Sequence, residues 1–176
     1  MNKTKKLVFT ALIAALYAVT TLAIAPLSFG AVQLRISEAL TMLAVFTPYA
    51  IPGLTLGCLI ANIFSPFGII DMVFGTLATL IAAFLSYKVR NIKFKGFPVL
   101  APMFPIVSNG IIIGAVTAFM AELNFNGFLI NAGLIALSEA VSCYVLGIPF
   151  YFAFKPKLKN PTLIFYKKIK SVLNGL

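Results

Sequence analysis

The sequence predicts an all-α integral membrane protein: a bundle of six transmembrane helices with both termini in the cytoplasm. Three observations lead there. Charged residues make up 10% of the 176 residues and hydrophobic residues 61%, whereas a soluble domain carries about 25% charged residues. Mean hydropathy is +1.03. A soluble protein of this size has too much surface to cover with so few charges. At about 20 residues per crossing, the length holds roughly six spans. Finally, the basic residues are clustered. Lys3, Lys5 and Lys6 precede the first apolar run, Lys88, Arg90, Lys93 and Lys95 form a mid-chain group, and Lys155, Lys157, Lys159, Lys167, Lys168 and Lys170 form the tail. Basic clusters between apolar runs are the signature of cytoplasmic segments. The net charge of +10 therefore reads as topogenic rather than as a nucleic-acid surface.

The spans follow in order. Leu7 to Ala25 is uncharged and ends at Pro26. It is longer than a signal-peptide core and no cleavage pattern with a polar mature domain follows, so it reads as a retained first helix (7–25). Residues 26–35 carry Ser28, Gly30 and Gln33; they are too polar for lipid and read as a loop folded back on the protein. From Ala39 to Ile70 there are 32 residues without a charge. Prolines in TPYAIPG (47–53) and SPFG (65–68) remove backbone donors and disfavour helix just before them. Two short helices result, about 36–48 and 52–64, each viable if tilted among neighbours or set in a thinned bilayer. Asp71 opens a fourth span (71–88), where an acid suits the helix dipole. Residues 97–121 form a fifth, with Pro98, Pro102 and Pro105 in its first third. Residues 128–154 form a sixth, kinked at Pro149. The membrane domain is thus 1–154, and 155–176 is a basic amphipathic cytoplasmic tail whose Ile164, Phe165, Ile169 and Val172 suit the membrane interface.

Six spans put 13 of the 14 basic residues on one side. Merging 36–64 into one span would place the tail opposite the N-terminus, so the charge pattern favours the pair of short helices. The other side, or the half of the bundle nearest it, then holds Arg35 and the acids Glu38, Asp71, Glu122 and Glu139. Ionisable groups inside a membrane are costly and usually face a cavity or a partner. Arg35 and Glu38 are three apart and can pair, and this can be a structural ion pair only. Asp71 can be no more than a helix N-terminal charge, Glu122 a solvated turn residue, and Asn109 interhelical glue. Glu139 is the sharpest case: it is deep in its span, that span carries no base, and Asn131 lies about two turns earlier on its face. Asn62 sits near the end of the third span.

Other chemistry is excluded. There is no His, which leaves little from which to build a zinc site or a Cys-His nucleophile. Cys58 and Cys143 read as small buried residues, and neither implies a disulfide. No phosphate-binding loop is present. The chain reads as a transport subunit rather than an enzyme, with no cofactor of its own, and active uptake needs another chain or an ion. Ala11, Ala14, Ala15 and Ala18 give two small-xxx-small pairs in the first span, where another helix can approach closely.

The stretch SFGAVQLRISEALTML (28–43) and the stretch AIPGLTLGCLIANIFSPFGIIDMVFGTLATLIAA (50–83) resemble the QueT family, whose members are substrate-binding S components of energy-coupling factor transporters. The layout of the remaining chain is similar to that family as well. The resemblance implies uptake of a queuosine precursor, a deazaguanine such as queuine or its aminomethyl precursor. It also implies partners: a transmembrane coupling protein, and two cytosolic ATPases that consume ATP. The Ala11/Ala15 and Ala14/Ala18 faces would match the family's docking motif. A guanine-like edge offers N–H donors that a carboxylate accepts, and an aromatic ring could stack on the base. On this reading Glu38 or Glu139 reads the base edge, Asp71 or the other Glu neutralises an aminomethyl arm, and Asn62, Asn109 and Asn131 complete the site, with Arg35 orienting Glu38. The alternatives are an S component for another vitamin or metabolite, and a solitary ion-coupled carrier with Glu139 as its proton site.

Overall fold

A computed structural model describes residues 3–30 and 33–155 of the chain. The tail expected over 155–176 lies outside the described residues except for Lys155. Every described element is helical: α1 (Lys3–Ala23), α2 (Ala25–Ser28), a 3-10 segment (Ile36–Thr41) running into α3 (Met42–Phe46), α4 (Ala50–Asn62), α5 (Gly68–Lys88), α6 (Met103–Met120), α7 (Phe125–Ala140), a π segment (Val141–Leu146) and α8 (Gly147–Phe154). Among the described residues, four stretches are long and apolar enough to cross a membrane: Lys3–Ala23, Gly68–Lys88, Met103–Met120 and Phe125–Phe154. Ile36–Phe46 and Ala50–Asn62 are apolar but shorter.

The prolines explain most boundaries. Pro52 and Pro105 sit in the first turns of α4 and α6, where a missing N–H costs nothing because it would be unpaired anyway. Pro98 and Pro102 precede α6, so the fifth helix begins at Met103 and not at Phe97. Residues 94–97 instead make an isolated bridge between Phe94 and Phe97. The last long helix begins at Phe125, three residues earlier than expected, because the Asn124 side chain caps it by accepting from the Gly127 N–H at 2.9 Å. Gly68, at φ +62°, lets the chain turn from SPF into α5.

Two irregular segments carry the chemistry. The helix over 36–46 is 3-10 for its first six residues. There the Thr41 hydroxyl donates to the Glu38 carbonyl at 2.6 Å, a local bond that competes with the α-helical ladder. In the last span the irregularity lies upstream of Pro149, as the π segment, where the Gly147 N–H reaches back to Ser142. Such π turns absorb an extra residue and re-aim neighbouring side chains.

α1 packs closely on α4 because Gly53 and Gly57 face it. A Cβ on Gly57 would stand 2.7 Å from the Ala14 carbonyl oxygen and 2.7 Å from Tyr17 Cβ. Ala14 and Ala18 are buried, while Ala11 and Ala15 are exposed. Only half of the small-residue set expected to dock a partner therefore faces outward; the other half is spent on internal packing. Gly114 serves α6 and α7 in the same way, with a Cβ there 2.8 Å from Ala132 Cα. We expect Gly57→Val to lower stability by about 1–3 kcal/mol, as overpacking does. A fall in thermal unfolding midpoint in detergent, against an unchanged Gly133→Ala control at an open position, is the check.

Candidate binding site

The elements that depart from regular helix converge on one buried polar network. Among the described residues the fully buried charged side chains are Arg35, Glu38, Asp71 and Glu139. Three are acids and one is a base, and all belong to this network.

Glu38 is brought in by the 3-10 segment. Its Oε1 accepts from the Tyr17 phenol of α1 and from Thr79 of α5 at 3.2 Å. The Thr79 hydroxyl also lies 3.2 Å from Cys58 Sγ of α4. The Cys143 thiol, on the π segment, lies 3.7 Å from the Glu38 carbonyl oxygen and 4.0 Å from Glu139 Oε2. Glu139 is placed by the last turn of α7, and its Oε1 accepts from Asn109 Nδ2 of α6 at 3.0 Å. Glu38 Oε2 and Asn109 Oδ1 are buried without a hydrogen-bond partner among the described residues. Unsatisfied buried acceptors are rare and each costs about 1–3 kcal/mol.

The second half of the network is built around Arg35. Its Nη2 stands 3.3 Å from Asp71 Oδ2 and 3.2 Å from Gln33 Oε1. Ser65 donates to the same Asp71 oxygen at 2.6 Å. The expected Arg35–Glu38 pairing is therefore replaced by an Arg35–Asp71 ion pair. The spacing of three presumes α-helix, but Arg35 has extended backbone at φ −104°, ψ 96°, which turns its side chain from Glu38 toward α5. Asn62 joins the halves, its Nδ2 donating to the Asp71 carbonyl at 3.0 Å and lying 3.4 Å from Cys58 Sγ.

Of the residues singled out from sequence, Arg35, Glu38, Asn62, Asp71, Asn109 and Glu139 thus share one network. Asn131 does not join it by hydrogen bonds. It binds the Thr117 hydroxyl and lies 3.4 Å from the Gly114 carbonyl, tying α7 to α6. Glu122 is exposed in the turn before α7, at φ 51°. The network also uses Tyr17, Gln33, Ser65 and Thr79, which sequence reasoning passed over. Tyr17 had a signal: it shares a helical stripe with Ile13 and Thr21, at four-residue spacing. Ser65 and Thr79 had none.

Among the described residues no three ligating side chains come together as a metal site. A groove of about 550 Å³ runs along α5 and α6, lined by Ile70, Phe74, Leu77, Ile111, Ala115 and Phe119 among others. Its lining offers no hydrogen-bonding side chain to orient a polar ligand, so the network is the candidate site.

Comparisons with known proteins show the family. The family model described as QueT transporter matches residues 7–156. This chain belongs to the QueT transporter family. It is similar to a protein of Lactococcus lactis subsp. cremoris (strain MG1363) named queuosine precursor transporter QueT, 33% identical over 158 residues, covering 82% of this chain and 89% of the relative. No solved structure matches. Membership in a transporter family, with four helices long and apolar enough to span, makes this a multi-pass membrane protein. The matched range takes in every residue of the network.

Proposed function

We propose that this protein is the membrane-embedded substrate-binding subunit for uptake of a queuosine precursor, working as an S component energised by partner ATPases through a coupling protein. The observation that carries the reading is the Glu38–Asn109–Glu139 constellation, buried and with acceptors still unpartnered, in a chain whose curated relative is named for that substrate. A deazaguanine presents a lactam N–H and an exocyclic amine on one edge, which carboxylate and amide oxygens accept. Among the described residues, the charge of Asp71 is balanced by Arg35 on its Oδ2, although its Oδ1 is unpartnered, whereas Glu38 and Glu139 have no paired cation, which makes them the better readers of the ligand. Tyr17 anchors Glu38 from α1, and the short helices over 36–46 and 50–62 hold the site between longer ones.

The topology that goes with this function has six spans and cytoplasmic termini, supported by the distribution of basic residues. The outward pair Ala11 and Ala15 is the remaining small-residue face of α1 for a coupling protein. ATP is consumed by the partners, and this chain needs no cofactor.

Calorimetry on the purified protein tests the reading. 7-Aminomethyl-7-deazaguanine and 7-deazaguanine are expected to bind, and riboflavin, thiamine and biotin are not. Binding of one of those vitamins alone would reassign the substrate. Uptake by vesicles that contain this chain without any ATPase would replace the S-component reading with a solitary carrier.

A further inference from the structure

Gln33 is the most unusual residue of the network. It is 2% exposed and holds a left-handed backbone at φ 48°, an uncommon conformation for a non-glycine residue. Two contacts tie it to the network. The hydroxyl of Ser138, next in sequence to Glu139, lies 3.5 Å from the Gln33 carbonyl oxygen, and Arg35 Nη2 is 3.2 Å from Gln33 Oε1. A guanidinium can only donate, so Arg35 fixes which way the amide faces: oxygen to the arginine, NH2 away from it. That Nε2 is buried without a hydrogen-bond partner among the described residues.

The network therefore holds unpartnered groups of opposite kind. Glu38 Oε2, Asn62 Oδ1, Asp71 Oδ1 and Asn109 Oδ1 are acceptors, and Gln33 Nε2 is a donor. A planar ligand edge carrying a carbonyl beside N–H groups has the chemistry that complements such a mixture of donor and acceptors. We propose that Gln33 is a specificity-determining residue that donates to the ring carbonyl of the ligand, with Arg35 and Asp71 acting behind it to hold its amide in the donating orientation. The inference rests on the deazaguanine reading and adds the donor that carboxylates cannot supply. It also gives the Arg35–Asp71 pair a purpose beyond charge balance, since Asp71 holds the guanidinium that orients Gln33.

The test compares 7-deazaguanine with its 6-thio analogue. The analogue keeps both N–H donors and replaces the carbonyl oxygen with sulfur, a weaker acceptor. Calorimetry on the full chain in detergent is expected to show the oxygen ligand binding at least ~10-fold tighter in the wild type. In Gln33→Met the ratio should fall to about 1. In Gln33→Glu, which keeps an oxygen on Arg35 but turns a second toward the carbonyl, the oxygen ligand should lose its preference and bind more weakly than in the wild type. Two results would overturn the inference while leaving the deazaguanine reading intact: a wild type that binds both ligands equally, or a folded Gln33→Met or Gln33→Glu variant that keeps the wild-type ratio. A wild type that binds neither ligand removes the deazaguanine reading itself. The wild-type ratio needs no variant to fold, and the two variants perturb Arg35 differently, so loss of one does not remove the test.

Discussion

Glu38→Gln and Glu139→Gln are each expected to weaken binding of 7-aminomethyl-7-deazaguanine by about 10- to 100-fold. The magnitude follows from the chemistry of the exchange. A hydrogen bond to a charged group is worth about 1.5–3 kcal/mol, and each 1.4 kcal/mol is a factor of ten. The isosteric amide keeps the volume but turns one acceptor into a donor, which then faces the ligand's own N–H groups. Glu38→Gln should have the larger effect, because its Oε2 is the unpartnered atom, whereas Glu139 Oε1 already accepts from Asn109. Glu139→Gln should fall harder on the aminomethyl compound than on 7-deazaguanine if its charge faces the cationic arm. Calorimetry on both variants with both ligands checks this, and unchanged affinity in both variants would remove these carboxyl groups from the site.

The contrast between those two glutamates shows what the sequence makes legible. Glu139 stands out because it is an acid deep in an apolar run with no base in its span, and the cost of burying it does not depend on fold detail. Asn62 and Asn109 stand out as polar side chains within apolar runs, and Asp71 as the acid that opens its span. The partners of these groups are less legible, because pairing is decided by backbone direction. Arg35 and Glu38 share a helical face on paper, yet Arg35 has extended backbone and Glu38 lies in a 3-10 segment, so the arginine reaches Asp71, 36 residues away. The alanine stripe of α1 misleads in a related way. Small residues mark where another helix comes close, but the pattern cannot say whose. Gly57 of α4 claims Ala14, and Gly53 packs on Ile13, a match visible only once α1 and α4 are known to be neighbours. Gln33 stayed hidden because a glutamine in a loop is ordinary, and Tyr17 offered only its place on a helical stripe with Ile13 and Thr21. Their roles depend on burial.

Asp71→Leu and Arg35→Met are each expected to lower stability by about 3–5 kcal/mol, the usual cost of leaving one member of a buried ion pair without its partner. Both side chains are almost completely removed from solvent, at 2% and 0% exposure, with 3.3 Å between the charged atoms. Neither has a ready substitute. Ser65 would lose its acceptor with Asp71, and Gln33 would lose the donor that sets its amide with Arg35. The double variant Arg35→Met/Asp71→Leu removes both charges of the pair, and replacing both members of such a pair with apolar groups is often neutral or stabilising. It should therefore be more stable than either single variant. Thermal unfolding of all four proteins in detergent closes the cycle: a coupling energy above about 1 kcal/mol marks a true pair, while additive losses would show two independent contributions. Ligand affinity in the double variant separates stability from recognition. If the pair serves only the fold, the stable double variant binds 7-deazaguanine like the wild type. If Arg35 orients Gln33, it folds and still loses its preference for the carbonyl over the thiocarbonyl, because a thioether in place of the guanidinium has no N–H to hold the amide oxygen.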